Sequence, residues 1–303
     1  MNISLNQFEL LSYIEREGGK RISQRQLAQV LGISLGSTNG VIAELQQMGL
    51  IYIAEDRTIQ ITGHGMKALE PFRVKRVVIL AAGFSERLMP ISLNTPKPLI
   101  RVHGVPMIET LLEAIDQAGI RDVIIVRGYL KEQFEVLKQK YSYIRFMENP
   151  FYNESNNISS AWIARNELQQ AYIMEADLVI KNPRVIRKYE YASNYLGVLK
   201  KETDDWCFGV KKGIISSVSV GGKDCYEMKG ISFWNQQDGQ RLSEYINEAW
   251  HMPGGKERFW DEVALKIFLN KFNVAIRPCS EEDLQEIDTF KELKAIDPIY
   301  TLN

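Results

Sequence analysis

The chain has few of the residues that build disulfides or metal–thiolate sites. Among its 303 residues, the three cysteines are Cys207, Cys225 and Cys279, and the three histidines are His64, His103 and His251. The cysteines are odd in number, widely spaced and without a CxxC pair, which favours reduced thiols over disulfides. Because both residue types are scattered, a metal centre built from His and Cys is not expected.

Net charge and long apolar runs are lacking as well. The formal net charge is −1, so no field of the whole protein favours nucleic acid or an anionic membrane surface. No apolar stretch approaches the length of a bilayer span, and residues 1–19 have no basic start followed by an apolar core. We therefore expect a cytoplasmic protein with no membrane partner.

Residues 1–72 carry the pattern of a small helical unit that ends in a hairpin. Phe8, Leu11 and Ile14 have helical spacing, and ISQRQLAQVLGIS predicts a second helix with Ser23 as its N-cap. A third helix is predicted in SLGSTNGVIAELQQMGLI, and two short β-like runs around EDR predict a hairpin. This order resembles the winged helix-turn-helix domain of bacterial regulators.

The sequence leaves the role of this winged-helix domain open between DNA binding and association with another protein. Its docking geometry would place Ser34, Ser37, Thr38 and Asn39 at the major groove. However, residues 1–73 hold seven Lys or Arg and seven Asp or Glu, and no Lys or Arg lies between Ser34 and Leu50. Phosphate neutralisation supplies most non-specific affinity, so DNA binding and a dimerisation or docking role, which would give a homodimer, both remain.

From residue 73 to residue 303, β-like runs alternate with helical ones. This alternation predicts an α/β domain, with a Rossmann-like, mostly parallel sheet covered by helices on both faces. Two later glycine-punctuated runs, WCFGVKKGIISSVSVGG and YEMKGISFWN, predict an added antiparallel part. Ligands of such sheets lie beyond the carboxyl ends of the strands, where Gly83, Gly128 and Asp177 occur.

The segment VVILAAGFSERLMPISLNTPKPLI indicates a triphosphate site of an unusual kind. Gly83 has no Cβ, so a phosphate or a base can approach its backbone closely. Arg87 and Lys97 supply a guanidinium fork and a point charge, on a loop stiffened by three prolines. Neither GxxxxGK[ST] nor GxGxxG occurs in the chain, so the common phosphate loops do not account for it.

The pattern LAAGxxxRxxPxxxxxPKxL resembles the signature of nucleotidyltransferases. Many members have a second glycine where this chain has Ser85, and Ser or Thr where it has Glu86. The later segments NPFYNESNNISSAW, EADL, KGISFWN, RFWDEV and QEIDTFKEL resemble, in order and spacing, bacterial CTP:phosphocholine cytidylyltransferases. The Glu-Lys-Pro motif of the sugar-nucleotide branches is missing, which argues against a hexose phosphate.

This resemblance implies transfer of CMP from CTP to phosphocholine, with Mg²⁺ as cofactor and pyrophosphate as the leaving group. It implies catalytic roles for Arg87 and Lys97 and metal ligation by Asp177 and Asp288, with Glu175 and Glu286 in support. The implied nucleotide-binding residues are Leu80, Ala81, Ala82, Gly83, Gly128, Tyr129, Asn149, Asn157 and Ser160. For Asn157 and Ser160 a helix N-cap role stays open, because NESNNISS precedes a helical run.

A quaternary ammonium has no hydrogen to donate, so choline recognition depends on aromatic faces and nearby carboxylates. The candidates for choline binding are Trp206, Trp260, Asp261, Trp234 and Tyr226. Two alternatives remain for function. One is the same transfer to phosphoethanolamine or 2-aminoethylphosphonate, and the other is a transcriptional regulator that senses CTP or CDP-choline through a transferase-like domain.

Overall fold

The computed structural model describes residues 2–18 and 20–301 of the chain. Contacts divide these residues into two units. The small unit runs up to Arg73 and includes Tyr189–Tyr191, and the larger unit comprises the rest.

The small unit is a winged helix. Its elements are α1 (Leu5–Glu17), α2 (Gln24–Leu31), α3 (Leu35–Gln47), β1 (Ile51–Ile53), β2 (Ile59–Ile61) and α4 (Gly63–Leu69). The predicted cap of α2 is confirmed: the Ser23 hydroxyl accepts from the Gln26 N–H, the Gln26 side chain reciprocates, and Gly32 ends the helix at φ 63°. Arg57 has φ 65° in the turn between β1 and β2. The predicted helices and hairpin are therefore confirmed.

The apolar faces of these elements enclose one core. Phe8, Leu11 and Ile14 of α1 are at most 1% exposed, and Leu45 of α3 is fully buried. Thr38 is fully buried too, and its hydroxyl donates to the Ser34 carbonyl at 3.0 Å. Thr38 therefore does not belong to the exposed face of α3, and its predicted place at a DNA groove is wrong.

The larger unit is built around a seven-stranded sheet. The strands of this unit are β3 (Arg76–Ala81), β4 (Arg101–Val102), β5 (Val105–Pro106), β6 (Val123–Arg127), β7 (Ile144–Glu148), β8 (Ala171–Glu175), β9 (Leu178–Ile180), β10 (Asn194–Lys211), β11 (Ile214–Trp234), β12 (Ala275–Cys279) and β13 (Leu284–Glu286). Two pairs, β4 with β5 and β9 with β13, form separate two-stranded sheets. The order in the main sheet is β10-β12-β11-β8-β3-β6-β7. Strands β8, β3, β6 and β7 are parallel, and β11 is antiparallel to β8. The predicted mostly parallel sheet and antiparallel addition are confirmed.

Helices cover both faces of this sheet. They are α5 (Met107–Gln117), α6 (Leu137–Lys140), α7 (Ile158–Ile163), α8 (Gln236–His251) and α9 (Phe290–Ile296), with a π-helical turn at Val263–Ile267. Successive residues of β3 enter opposite cores, Val77 and Ile79 on one side and Val78 on the other, and all three are fully buried. Each such side chain stabilises the fold by about 1.5–3 kcal/mol. Because both faces of β3 are buried, its sequence is apolar without alternation.

Within residues 2–18 and 20–301, no helix combines the length and apolar character that a membrane span needs.

Candidate active site

A cleft of about 200 Å³ opens at the carboxyl ends of the central strands. The strand register places Leu80 of β3 opposite Glu175 of β8, and Ala81 opposite Arg127 of β6, so these strands end at one edge. The cleft is lined by Leu80, Ala81, Ala82, Gly83, Ser85, Lys97, Pro98, Asn149, Tyr152, Ser155, Asn156, Asn157, Ser159, Ser160, Glu175, Ala176 and Asp177. Parallel strands thus bring residues from four separate chain segments to one cavity.

Lys97 lies in the segment that follows β3 and lines the cleft. Its side chain is only 9% exposed, and its ammonium donates to Asp177 Oδ2 at 2.9 Å and to Asp288 Oδ1 at 2.8 Å. Burial by itself would lower the pKa of Lys97, but the two carboxylates outweigh this and raise it. The amine therefore stays charged in the cleft wall.

Arg87 approaches the same carboxylate from the other end of this loop. Its Nη2 lies 3.2 Å from Asp288 Oδ2, and its side chain is 68% exposed. Burial alone would raise the pKa of the Asp288 carboxyl, but Lys97 and Arg87 together hold it below its usual value. One fixed anion therefore organises both predicted cations, while Arg87 keeps most of its surface open to a ligand.

Three acids form a cluster beside these cations. Oxygens of Asp177, Glu286 and Asp288 lie within 4.8 Å of one another. The cluster is assembled by pairing of β9 with β13, and by a 3.1 Å hydrogen bond from the Ile287 N–H to the Asp177 carbonyl. The Glu292 carboxylate accepts from the Asp288 N–H at 2.8 Å and so holds that backbone in place.

The donor set of this cluster fits Mg²⁺. Hard carboxylate oxygens are the ligands this ion prefers. Asp177 Oδ1 is buried and has no hydrogen-bond partner among the residues that the structure describes, which is costly unless an ion or a ligand satisfies it. Burial, with the neighbouring charges of Asp177 and Asp288, raises the pKa of Glu286 well above its usual value. The three acids therefore repel one another when no cation lies between them. Glu86 of the phosphate loop is exposed and stands outside this cluster.

Comparison with known proteins agrees with this geometry. Residues 76–210 match the Nucleotidyl transferase family, and residues 1–58 match the MarR family. A 2-aminoethylphosphonate cytidylyltransferase from Lancefieldella rimae is 37% identical over 227 residues, which cover 74% of this chain and 92% of that protein. The chain belongs to the cytidylyltransferases of the nucleotidyltransferase family.

A similar sequence and a similar solved structure both come from Streptococcus pneumoniae. A choline-phosphate cytidylyltransferase is 30% identical over 227 residues, covering 74% of this chain and 97% of that protein. The solved structure of a CTP:phosphocholine cytidylyltransferase from the same organism has a TM-score of 0.70 and 30% identity. It covers 75% of this chain and 99% of that one.

In the cytidylyltransferase, two glycines of the predicted nucleotide site differ in their surroundings. A Cβ on Gly83 would meet no atom of a described residue within 4 Å, whereas a Cβ on Gly128 would lie 2.8 Å from the Tyr152 side chain and 2.9 Å from the Ala82 carbonyl. Tyr129 donates its N–H to that same carbonyl at 3.0 Å. Gly128 is thus required for packing, while Gly83 leaves bare backbone at the cleft.

The polar residues of the predicted nucleotide site are mostly committed to one another. Asn149 donates to Ser159 Oγ and Ser160 Oγ at 2.8 and 3.0 Å, and its carbonyl oxygen accepts from the Phe151 N–H at 2.9 Å. Asn157 is the N-cap residue of α7, but its side chain makes no capping hydrogen bond. Asn149 and Asn157 therefore stabilise the cleft wall through hydrogen bonds to other residues of the protein.

Asn157 instead joins two elements far apart in sequence. Its amide donates to Glu175 Oε1 at 3.1 Å, and its oxygen accepts from the Trp260 N–H at 2.9 Å. The Trp260 indole also donates to Glu175 Oε1, at 3.0 Å. Burial, and then the charge of Asp177, raise the pKa of Glu175 to about 8. No pattern in EADL or RFWDEV indicated this link.

The predicted choline residues are scattered between core and surface. Trp234 is fully buried and Trp260 is 1% exposed, with its ring stacked on Tyr195. Asp261 is 8% exposed, and burial raises its pKa to about 6. Trp206 and Tyr226 are half-buried on the long hairpin of β10 and β11. Trp206 meets the edge of the partly exposed Phe259, and the Lys266 ammonium lies 6.0 Å from its ring centroid.

Proposed function

We propose that this cytidylyltransferase transfers CMP from CTP to 2-aminoethylphosphonate, releasing pyrophosphate. The relative from Lancefieldella rimae, named for that acceptor, supports the choice because it is 37% identical over 74% of this chain. The observation that carries it is the burial of Trp234 and Trp260, which leaves neither ring an open face for a quaternary ammonium.

A primary ammonium suits the groups that do line the cleft. It has three N–H donors, which need acceptors more than aromatic faces. Glu175 lines the cleft, and its carboxyl oxygens can accept from such a group whether or not the carboxyl carries its proton. A trimethylated ammonium has no hydrogen to donate to them.

The chemistry needs positioning more than proton transfer. A phosphonate oxygen, already anionic, attacks the α-phosphorus of CTP in line; one P–O bond forms and the bond to pyrophosphate breaks. Lys97 neutralises charge on the transferring phosphoryl group, and Arg87 neutralises charge on the departing phosphates. The backbone at Ala82 and Gly83 lies against the nucleotide, and the wall braced by Asn149 and Asn157 limits its movement.

Asp177, Glu286 and Asp288 would hold Mg²⁺ in this reaction. When bound, the ion supplies positive charge to the phosphate oxygens. Without it, three carboxylates would repel both anionic substrates.

Phosphocholine is the second candidate acceptor. The solved relative from Streptococcus pneumoniae has a TM-score of 0.70, and the half-buried Trp206 with Phe259 offers one aromatic pair near the surface. The prediction of phosphocholine from the sequence thus stays a prediction.

Pyrophosphate release separates these alternatives. The full chain with Mg²⁺ would be given each of four nucleoside triphosphates, crossed with 2-aminoethylphosphonate, phosphoethanolamine and phosphocholine. We expect the highest kcat/KM with CTP and 2-aminoethylphosphonate. A higher value with phosphocholine would refute the acceptor assignment, and no release with any pair, together with tight operator binding, would favour the regulator.

For the small unit we infer weak DNA binding. The MarR match supports it, while zero net charge over residues 1–73 and the lack of cations on α3 limit phosphate contacts. Fluorescence anisotropy of duplex DNA across salt concentrations tests this inference. Sedimentation of the protein alone tests the predicted homodimer.

A further inference from the structure

We propose that Lys229 binds the phosphonate or phosphate group of the acceptor, forming an anion subsite beside the acid cluster. This inference rests on the proposed transfer to a small phosphorylated or phosphonylated amine. It assigns a role to a buried ion pair that the nucleotide site does not use.

Lys229 lies on β11 directly beside the cleft wall. The next residue, Gly230, has φ 50°, and a Cβ there would be 3.1 Å from Glu175 Cβ and Cγ. Glu175 lines the cleft, and Ile231 pairs with Met174 on the adjoining strand. The backbone that carries Lys229 therefore touches the wall of the nucleotide site.

The Lys229 ammonium is buried with donors to spare. Its side chain is 10% exposed, and among the described residues it makes one hydrogen bond, to Glu227 Oε1 at 2.5 Å. An ammonium has three N–H donors, so two remain for a ligand. Glu227 also accepts from Thr203 Oγ1 at 2.6 Å, which fixes the carboxylate that orients the amine.

The backbone beside Lys229 also adjoins the acid cluster. A Cβ on Gly230 would lie 3.5 Å from Leu178 Cδ1, and Leu178 follows Asp177 and pairs with Glu286 across β9 and β13. Hydrogen bonds link the ion pair to the hairpin segment of Trp206, because Thr203 Oγ1 donates to Glu227 and accepts from the Asp205 N–H at 3.2 Å.

The balance of charges at the acid cluster favours a cation at the position of Lys229. The acceptor brings an anionic group toward Asp177, Glu286 and Asp288, while Lys97 and Arg87 are already paired with Asp177 and Asp288. A further cation is needed where the acceptor enters, and a partly desolvated ammonium binds an anion more strongly than an exposed one. Glu227 holds the Lys229 ammonium in place, and the phosphonate accepts from the N–H donors that Glu227 leaves free.

Binding measurements test this role separately from turnover. The full-length protein with Mg²⁺ and a CTP analogue that cannot be cleaved between the α- and β-phosphates would be titrated with 2-aminoethylphosphonate and with methylphosphonate, which lacks the amine. We expect Lys229→Met to raise the Kd of both phosphonates about tenfold or more, as for loss of a charged hydrogen bond. The Kd of the CTP analogue should change less than twofold.

Two other variants serve as controls. Lys229→Met leaves Glu227 buried without its cation, so Glu227→Gln with Lys229→Met removes both charges and should show the same loss with a retained Tm. Lys223→Met removes a lysine of the same strand, exposed and paired with Glu202 at 3.3 Å, and should leave both phosphonate affinities unchanged.

Three outcomes would overturn the proposal. They are unchanged methylphosphonate binding in the double variant, an equal loss of affinity for the CTP analogue, and no methylphosphonate binding by the unaltered protein at millimolar concentration. If neither variant folds, acetylation of the unaltered protein decides: methylphosphonate should slow modification of Lys229 but not of Lys223, and equal rates refute the role. Absence of pyrophosphate release with every amine would instead refute the proposed function, since methylphosphonate binding does not depend on it.

Discussion

Lys97 and Asp177 are joined by a 2.9 Å hydrogen bond, although 80 residues separate them in the chain. The same ammonium reaches Asp288, which follows Lys97 by 191 residues. All three side chains lie at one edge of the sheet. We therefore expect a substitution at any of them to change the charges of the site and to leave the backbone at Ala82 and Gly83 in place.

Replacing Lys97 by methionine should lower kcat about 100- to 1000-fold, the usual effect of removing one donor that stabilises transition-state charge. KM for CTP should rise much less, because charge on the transferring group changes most in the transition state. Steady-state pyrophosphate release measures both constants. Lys291→Met, an exposed lysine on α9, is the matched control, and a rise in KM with unchanged kcat would contradict the assignment.

Asp177→Asn should raise the Mg²⁺ concentration needed for half-maximal activity by at least about tenfold, the lower bound for outer-shell partners of a metal. The reason is that Asp177 offers a buried oxygen for which residues 2–18 and 20–301 supply no hydrogen-bond partner. Activity is to be measured across a Mg²⁺ titration, with the exposed Glu113→Gln on α5 as control. An unchanged Mg²⁺ midpoint would remove Asp177 from the ligand set.

The two glycines of the predicted nucleotide site should respond differently to alanine. Gly83→Ala meets open space, so its free energy of unfolding should change by less than about 0.5 kcal/mol, while KM for CTP rises. Gly128→Ala would crowd Tyr152 and the Ala82 carbonyl and should cost about 1–3 kcal/mol. Urea denaturation and CTP kinetics on the pair test this contrast. Equal stability of the two variants would contradict the packing role of Gly128.

Asp261→Asn should stabilise the protein at neutral pH. Burial raises the pKa of this carboxyl from near 3.8 to about 6, so the folded state binds its proton more tightly than the unfolded state. The free energy of unfolding therefore falls as pH rises from about 4 to about 6, and the loss persists above that range. The variant should gain up to about 3 kcal/mol at pH 7 and nothing below pH 4.

Denaturation midpoints at several pH values measure this difference, and Asp204→Asn, an exposed acid, should leave the pH dependence unchanged. A gain at pH 7 that persists at pH 4 would point to packing rather than to the buried charge.

Several features of the site follow from short segments alone. LAAG at the end of an apolar run predicts bare backbone beyond a parallel strand, and β3 ends there at Ala81. Ser23 predicts the start of α2 because capping depends on neighbours within one turn. Asp177 and Asp288 were found only through resemblance, since an isolated aspartate is more often a turn or cap residue.

Other features depend on contacts between distant segments. The aromatic residues near Asp204, Asp261 and Trp234 looked alike along the chain, yet Trp234 is fully buried while Trp206 is half-exposed. The sequence did not predict the hydrogen bonds among Glu175, Asn157 and Trp260, because the partners lie far apart in the chain. The separations are 18 residues for Asn157 and Glu175, 85 for Glu175 and Trp260, and 103 for Asn157 and Trp260. The ion pair of Lys229 with Glu227 was not predicted from the sequence either, because charged residues at alternate positions of a strand usually face solvent.

Local chemistry of the chain was thus enough to predict two kinds of folding unit, the phosphate loop with its cations, and the helix ends, because each depends on periodicity or on residues a few positions apart. Folding in three dimensions alone assigned the partners: which acids share Lys97, which indole reaches Glu175, and which ring is hidden. The physical reason is that charge pairing and burial are properties of neighbours in space, and β-sheet order sets those neighbours independently of their distance along the chain.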